Sequence, residues 1–448
     1  MKEKRIDMVV GSPRKVLIQF AIPIILGNLF QQFYNMTDSI VVGKFVGENA
    51  LAAVGASYAI TNIFIAIAVG GGIGSSIIIS QYLGAQNYCN MKKGILTALV
   101  NFVLIGLALS ILGNIFCKTL LVVLNTPDNI LSDAVIYLKI YFGGMTFLFL
   151  YNIVSSIFNS LGDSRTPLNL LIFSSTFNVI LDIIFVAVFH WDVAGVAAAT
   201  VIAQGISSIL ALVILLKKVR KNYPPHTHVS YSFDTAQRML TVAIPSIIQQ
   251  SIVNIGMLLV QSVVNGYGSA VLAGYSASMR FESICVIPMV GVGNAISTYT
   301  AQNMGAGKTE RVKKGYRASY IIIITVAIII CFILLLFGDK LLMAFLNVGS
   351  KSKAFDTGLS YLHFMAFFFI IMGMKSITDG VLRGAGDVIA FTFANLVNLT
   401  IRVSFAHIFA PIVGVQAVWI ATPVGWTANF LISFVWYLTG KWKFKKVI

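Results

Sequence analysis

The sequence predicts an all-α polytopic membrane protein of twelve transmembrane helices, in two six-helix bundles related by a pseudo-two-fold axis along the membrane normal. Three observations carry that expectation. Of 448 residues, 57% are hydrophobic and only 11% are charged, far below the roughly 25% charged share of soluble domains. Apolar stretches of about 20 residues, the length that crosses a bilayer core, are centred near residues 29, 66, 106, 146, 178, 205, 250, 288, 327, 368, 398 and 427. Short motifs of the first half also return in the second: Ala21-Ile22-Pro23 as Ala243-Ile244-Pro245, Gln81-Tyr82-Leu83-Gly84-Ala85 as Gln302-Asn303-Met304-Gly305-Ala306, and Leu161-Gly162-Asp163 as Ala385-Gly386-Asp387. Gln, Asp and Pro are scarce in such a chain, so apolar bias alone does not produce these matches. Six spans per half is an even number, so both halves enter the membrane in the same sense, with the ligand expected at the cleft between the bundles.

Taken in order, residues 1–15 read as a basic cytoplasmic leader, without the short apolar core and small-residue cleavage site of a signal peptide. The first span, residues 14–44, contains Pro23 and the polar run Gln31, Asn35 and Asp38. Gly70 to Gly74 in the second span and Gly291 with Gly293 in the eighth read as close-packing surfaces, and Pro23, Pro245 and Pro288 as kinks that neighbouring helices re-satisfy. The fifth span, residues 165–190, carries Asn178 and Asp182. Residues 1–216 form the first bundle, 217–237 a cytoplasmic linker with the pair Pro224-Pro225, and 238–448 the second bundle. The linker is too short to bury a core of its own.

Charge follows topology. Most of the 32 Lys and Arg lie in the leader, at Lys92, Lys93 and Arg165, in the linker, between Lys308 and Arg317, at Arg383 and near the C terminus; the opposite side holds Lys44, Lys118, Lys139, Lys340, Lys351 and Lys353. This is the positive-inside pattern, and it places both termini in the cytoplasm. The net charge of +16 is thus accounted for by topology and anionic headgroups, with the lipid bilayer and not nucleic acid as the partner. Cys89, Cys117, Cys285 and Cys331 are scattered and read as free thiols. His226 and His228 stand together without an acid or a cysteine nearby, so no metal site is expected. The chain has no Walker motif and no Ser-His-Asp grouping, which leaves neither an ATP-driven pump nor an enzyme. Energy must come from an ion gradient, and no cofactor is expected beyond H+ or Na+ as the coupling ion.

Asp38 and Asp182 sit within apolar stretches, where a charged residue costs about 3 kcal/mol on insertion scales and marks a functional site. Asn178 and Asp182 are four apart on one helical face, and Gln31 and Asp38 are seven apart with Asn35 between them. If the first and fifth spans pack face to face, these groups share one pocket. Such carboxyls can load and unload a proton, or hold a small cation through oxygen ligands. The repeat positions in the second half, near Val260 and at Ala406, are apolar, and that half carries Arg280, Lys375 and Arg402 instead. A mere requirement of the fold would recur in both copies. Tyr34, Phe33 and Phe147, with Met36 and Met257, are candidates for a cavity wall that takes flat cations on ring faces and adaptable thioethers. Lys375 and Asp379 are four apart and read as a local ion pair or as an inner gate. Arg402 has no partner on its own helix, leaving a substrate, a lipid headgroup or a carboxylate on another element, and Arg280 and Glu282 need partners of their own.

The duplicated plan, the Gln-Tyr-Leu-Gly-Ala and Gln-Asn-Met-Gly-Ala turns and the two Gly-Asp turns resemble the multidrug and toxic compound extrusion family over almost the whole chain. Within it, Asn178, Asp182 and Asp38 are similar to the proton site of the prokaryotic DinF-like branch, which implies a bacterial cytoplasmic membrane and extends the cluster to Gln31 and Thr200. The NorM-like branch places acids on spans seven and ten; span seven has none here, and Asp379 lies near the cytoplasmic end of span ten. The resemblance implies export of amphipathic, often cationic compounds in exchange for H+ or Na+, by a protein expected to be monomeric. The alternative within the superfamily is a flippase of lipid-linked precursors, which extra spans and more cavity cations would favour. A membrane-embedded enzyme would need a nucleophile-base pair or metal ligands, and a receptor module leaves the duplication unexplained.

Overall fold

The computed structural model describes residues 6–224, 229–343, 352–445 and 448. His226, His228 and Lys351 lie outside them. Among the described residues the chain is helical throughout: α1 (Pro13–Phe45), α2 (Glu48–Gly84), α3 (Tyr88–Val123), α4 (Asp128–Gly143), α5 (Met145–Ser160), α6 (Arg165–Ile183), α7 (Asp192–Asn222), α8 (Phe233–Asn265), α9 (Ser269–Gly305), α10 (Thr309–Met343), α11 (Lys353–Ala366), α12 (Phe369–Ala385), α13 (Val388–Val413) and α14 (Gln416–Leu438). Ten of the spans are helices long and apolar enough to cross a membrane; counting the bent pairs α4–α5 and α11–α12 as one span each makes twelve. Backbone groups satisfied within each helix are what a bilayer core demands.

The stretches centred near 146 and 368 are not single rods. α4 and α5 meet at 51°, and α11 and α12 at 52°. In the first pair the break falls at Gly143-Gly144, a glycine pair of the kind that kinks helices, and a Cβ on Gly144 would stand 2.6 Å from Val201 Cγ2. The second break falls across Phe367 and Phe368, with neither glycine nor proline to explain it.

The repeated turns have physical causes. Gly162 and Gly386 both adopt left-handed backbone, with φ of 81° and 85°, a conformation that costs other L-residues roughly 1–2 kcal/mol. The aspartate after each ties the turn down. Asp163 accepts from Thr166 N (3.1 Å) and Thr166 Oγ1 (2.7 Å) at the start of α6 and pairs with Lys218 of α7 at 2.9 Å, while Asp387 accepts from Trp436 Nε1 at 2.7 Å.

Two compact units make up the chain. One contains residues 26–247 and the other residues 1–25 with 248–448, so the divisions fall inside α1 and α8, just after Pro23 and Pro245, and not in the linker. The glycine seams account for this. In the first unit Gly70 and Gly74 of α2 meet the start of α8, where an added Cβ would come within 2.6 Å of Ile247 Cα and of Ala243 N. In the second, Gly291 of α9 meets Ile25 Cγ1 at 2.5 Å by the same construction. Each unit also straps down the segment leading into its borrowed helix. Arg311 donates to the carbonyls of Met8 (3.2 Å), Val10 (2.7 Å) and Gly11 (2.7 Å), and Lys92 donates to the Pro224 carbonyl at 2.7 Å.

At the centre of the units lie α5, packed on α2, α3 and α7, and α12, packed on α9, α10 and α14. The α9–α12 seam is backbone on backbone: a Cβ on Gly380 would meet Gly293 O at 2.4 Å, and one on Gly384 would meet Ser297 O at 2.2 Å. Neither atom can give way without moving a helix. Gly384→Val is therefore expected to cost about 3 kcal/mol, the upper part of the overpacking range, read as a lowered unfolding midpoint of the detergent-purified protein; a wild-type midpoint would show that the seam is loose.

Candidate functional site

In the first unit, α1 and α6 lie side by side. Gly27 of α1 faces Leu168 and Leu171 of α6, each 3.8 Å from where its Cβ would be, and further along the pair Asp38 and Asp182 come into hydrogen-bonding contact. Asp182 is fully buried, Asn178 nearly so and Asp38 half-buried. The amide orientation of Asn178 follows from its neighbours: the nitrogen donates to Tyr34 Oη at 2.8 Å and to Asp182 Oδ2 at 3.0 Å, and the oxygen accepts from Thr200 N at 3.1 Å. Tyr34 hydrogen-bonds Thr200 and lies against both carboxyls, while Thr200 Oγ1 donates to Val196 O at 3.0 Å. α1, α6 and α7 thus each supply part of one polar cluster.

Behind Asp182 the helix widens into a π turn, Ile184–Val188. Such insertions interrupt the regular ladder and recur at functional sites. Here the turn follows directly on the segment that presents Asn178 and Asp182.

Two oxygens are left over. Asp38 Oδ1 and Asp182 Oδ1 are buried and find no hydrogen-bond partner among the described residues. Carboxyl groups in contact call for a shared proton or a shared cation, because bare negative charges at that range in a water-poor site repel strongly. The donor set present here, carboxyl, amide and hydroxyl oxygens, suits either a proton or a hard cation.

The remaining expected residues fall as follows. Gln31 is exposed and donates to Asn35 Oδ1 at 3.1 Å, one to two turns from the carboxyls along α1. Tyr34, expected in the cavity wall, belongs to the acid cluster. Phe33 is exposed, Met36 half-buried, and Phe147 half-buried with its ring against Gly205. In the other unit Met257 is exposed and Arg402 half-buried.

Lys375 and Asp379, expected near the end of their span as a local ion pair or a gate, are buried within the second unit. They form an ion pair at 3.3 Å, and Lys375 Nζ donates to Asn395 Oδ1 at 3.0 Å. Asp379 accepts from Asn395 Nδ2 at 3.1 Å and from Ser433 Oγ at 2.7 Å. Both carboxylate oxygens are satisfied, in contrast to those of Asp38 and Asp182. A closed network of this kind holds α12, α13 and α14 together and offers no open ligand position.

Sequence reasoning missed Tyr137. It lies on α4, buried, close to Tyr34 and to both carboxyls. The available signal is weak: a tyrosine in an apolar run whose hydroxyl must find a polar partner.

The MatE family model matches residues 23–184 and again residues 245–408, one copy in each half, in agreement with the repeated motifs. A Bacillus subtilis protein named "Probable multidrug resistance protein YpnP" is 29% identical over 445 residues, covering 99% of both chains. A second from the same organism, "Probable multidrug resistance protein YoeA", is 26% identical and covers 96% of this chain and 94% of its own. Among solved structures, one described as the outward-facing conformation of a multidrug resistance MATE family transporter of the MOP superfamily aligns with a TM-score of 0.90 at 22% identity, covering 98% of both chains. A MOP superfamily transporter from Pyrococcus furiosus aligns with a TM-score of 0.91 at 22% identity over 100% of both. At that identity the likeness speaks for the fold.

Proposed function

The chain belongs to the MatE family of membrane transporters, which are not enzymes, and from that premise we propose that it is a secondary antiporter exporting amphipathic, often cationic compounds in exchange for H+ or Na+. The observation that carries this reading is the Asp38–Asp182 contact, with one oxygen of each carboxyl unpaired inside an apolar unit. The names of the relatives, multidrug resistance and multidrug export proteins, support export as the direction and drugs as the cargo. The transporter works as a monomer in a bacterial cytoplasmic membrane with both termini inside.

The chemistry needs few parts. In the outward-facing state the carboxyl pair takes up a proton or Na+, and the substrate leaves. In the inward-facing state the pair releases the ion and a new substrate loads. Ion and substrate need not touch: each shifts the equilibrium by its differential affinity for the two states. Asn178 orients Asp182 through its Oδ2, and Tyr34 and Thr200 in turn fix the Asn178 amide.

Dye efflux from proteoliposomes with the two gradients imposed separately tests the reading. Ethidium should leave against its gradient when at least one of the two, a pH gradient or a Na+ gradient, is applied alone, and stop when both are collapsed. Efflux that continues with neither gradient, or that requires ATP, would contradict secondary antiport.

A further inference from the structure

Where α14 closes, the second unit gathers cations and rings that the carboxyl pair does not involve. The helix stops at Leu438, and the backbone reverses at Gly440, whose φ of 70° is left-handed. Residues Lys441–Phe444 then fold back as a short 3-10 helix. Trp442 turns inward and is buried. Its ring stacks on Tyr437 at 5.4 Å, its Nε1 donates to the Tyr437 carbonyl at 3.0 Å, and Tyr437 stacks in turn on Tyr316 of α10 at 4.1 Å. Lys441 and Lys443 flank Trp442, with their ammonium groups 5.2 Å and 5.9 Å from the ring centres of Trp436 and Trp442. Phe444 is left outside, 85% exposed.

Several cations at this end of the unit are already engaged. Arg311 and Lys308 hold the carbonyls of residues 8–11, Lys313 pairs with Glu310 at 2.5 Å, and Lys445 reaches the buried Asp387 at 3.7 Å. Lys314, Arg317, Lys441 and Lys443 form no ion pair of this kind among the described residues. They belong to one patch: the charges of Lys314 and Lys443 both reach Glu310, and that of Arg317 reaches Tyr437, the ring on which Trp442 stacks. Lys314, Arg317 and Lys441 are exposed.

The repeat-related end of α7 shows that basic residues alone do not build such a patch. Lys217, Arg220 and Lys221 are exposed there as well, but α7 continues as helix to Asn222 and the aromatic residue that follows, Tyr223, is buried. No turn folds back there to set cations over rings. Depth then selects the occupant in the second unit. α14 is long and apolar enough to cross a bilayer core, so the turn directly after it lies at the level of the headgroups, where Trp436 and Trp442 are also at home. At that level one environment suits both halves of the patch, with the Phe444 ring at the acyl boundary and the ammonium and guanidinium groups at lipid phosphates.

We propose that Arg317, Lys441 and Lys443, with Phe444 inserted beside them, form a binding site for the headgroup of an anionic phospholipid. The site stands apart from ion coupling and holds whatever the transported compound is. Its test uses the full chain, delipidated in detergent and titrated separately with phosphatidylglycerol and phosphatidylcholine, with bound lipids counted by native mass spectrometry. Wild type should bind one phosphatidylglycerol about tenfold or more tightly than phosphatidylcholine, since each nearby cation contributes severalfold. The Arg317→Gln, Lys441→Gln, Lys443→Gln variant should lose that preference, whereas the charge-matched Lys217→Gln, Arg220→Gln, Lys221→Gln variant should keep it. Phe444→Ser, at a position too exposed to decide folding, should weaken phosphatidylglycerol binding severalfold, and it supplies the answer if the triple variant of the patch fails to fold. Wild-type binding in the folded variants of the patch overturns the proposal. So does an equal loss in both triple variants, which would reduce the effect to the general basic field of this side of the membrane. Excess inorganic phosphate should leave the lipid in place; displacement would make the patch a site for free anions and overturn the proposal as well.

Discussion

Asp38→Asn and Asp182→Asn are each expected to reduce gradient-driven efflux to the leak of protein-free liposomes, while the proteins still insert and elute as a single folded species. Asparagine keeps the size and much of the hydrogen bonding of aspartate but can neither take up a proton nor balance a cation. The two side chains come from α1 and α6 and touch, so one substitution leaves the other carboxyl without its counterpart, and the pair works as a unit. Stability should change little or even rise, since the native contact sets two acidic groups against each other. Full efflux by both variants, with gradients verified, would remove the cluster from the transport cycle.

Lys375→Met should have the opposite profile. The ion pair with Asp379 is buried, with side-chain exposures of 10% and 9%, and removing one partner of such a pair strands the other at a cost of about 3–5 kcal/mol. Asn395 loses the donor to its Oδ1 at the same time. The expected result is a markedly lower unfolding midpoint in detergent, with coupled efflux retained by whatever fraction stays folded. Normal stability with uncoupled or leaky transport would instead identify Lys375 and Asp379 as a gate.

Much of the fold was legible because hydropathy and repetition are both coarse signals. Twelve apolar stretches set the spans, and the two that proved broken were centred at 146 and 368, close to the breaks themselves. At Phe367 and Phe368 helix propensity and apolar length persist straight through, so nothing local marks the second bend; the first is marked only by the Gly143-Gly144 pair, a weak signal until Val201 is seen against Gly144. The divisions inside α1 and α8 were hidden for a similar reason. They depend on which helix meets the glycines at 70, 74 and 291, a tertiary choice, whereas the linker is visible in composition. The importance of Gly380 and Gly384 came from the seam with α9 and could not be read from spacing.

The site divides along the same line. Asp38, Asp182 and Asn178 were legible because polar groups in an apolar run are costly and their spacing shares a face. Tyr34 was set among wall residues although it lies four before Asp38 on the same helical face; its ring reads as hydrophobic and its hydroxyl does not announce a partner. Gln31 shares that face too, yet its place along α1 leaves it exposed beside Asn35. Tyr137 is brought to the carboxyls by α4, and no single stretch of chain contains that arrangement.

The central claim is that one carboxyl pair binds the coupling ion, so that ion and substrate compete through it. Dye affinity of the purified protein, measured by fluorescence polarisation across pH without Na+ and across Na+ at fixed pH, tests this most directly. The expected result is that at least one ion weakens dye binding in wild type, and that this dependence vanishes in the Asp38→Asn, Asp182→Asn double variant although the dye still binds. An ion dependence in the double variant equal to that of wild type would place the coupling site elsewhere in the chain.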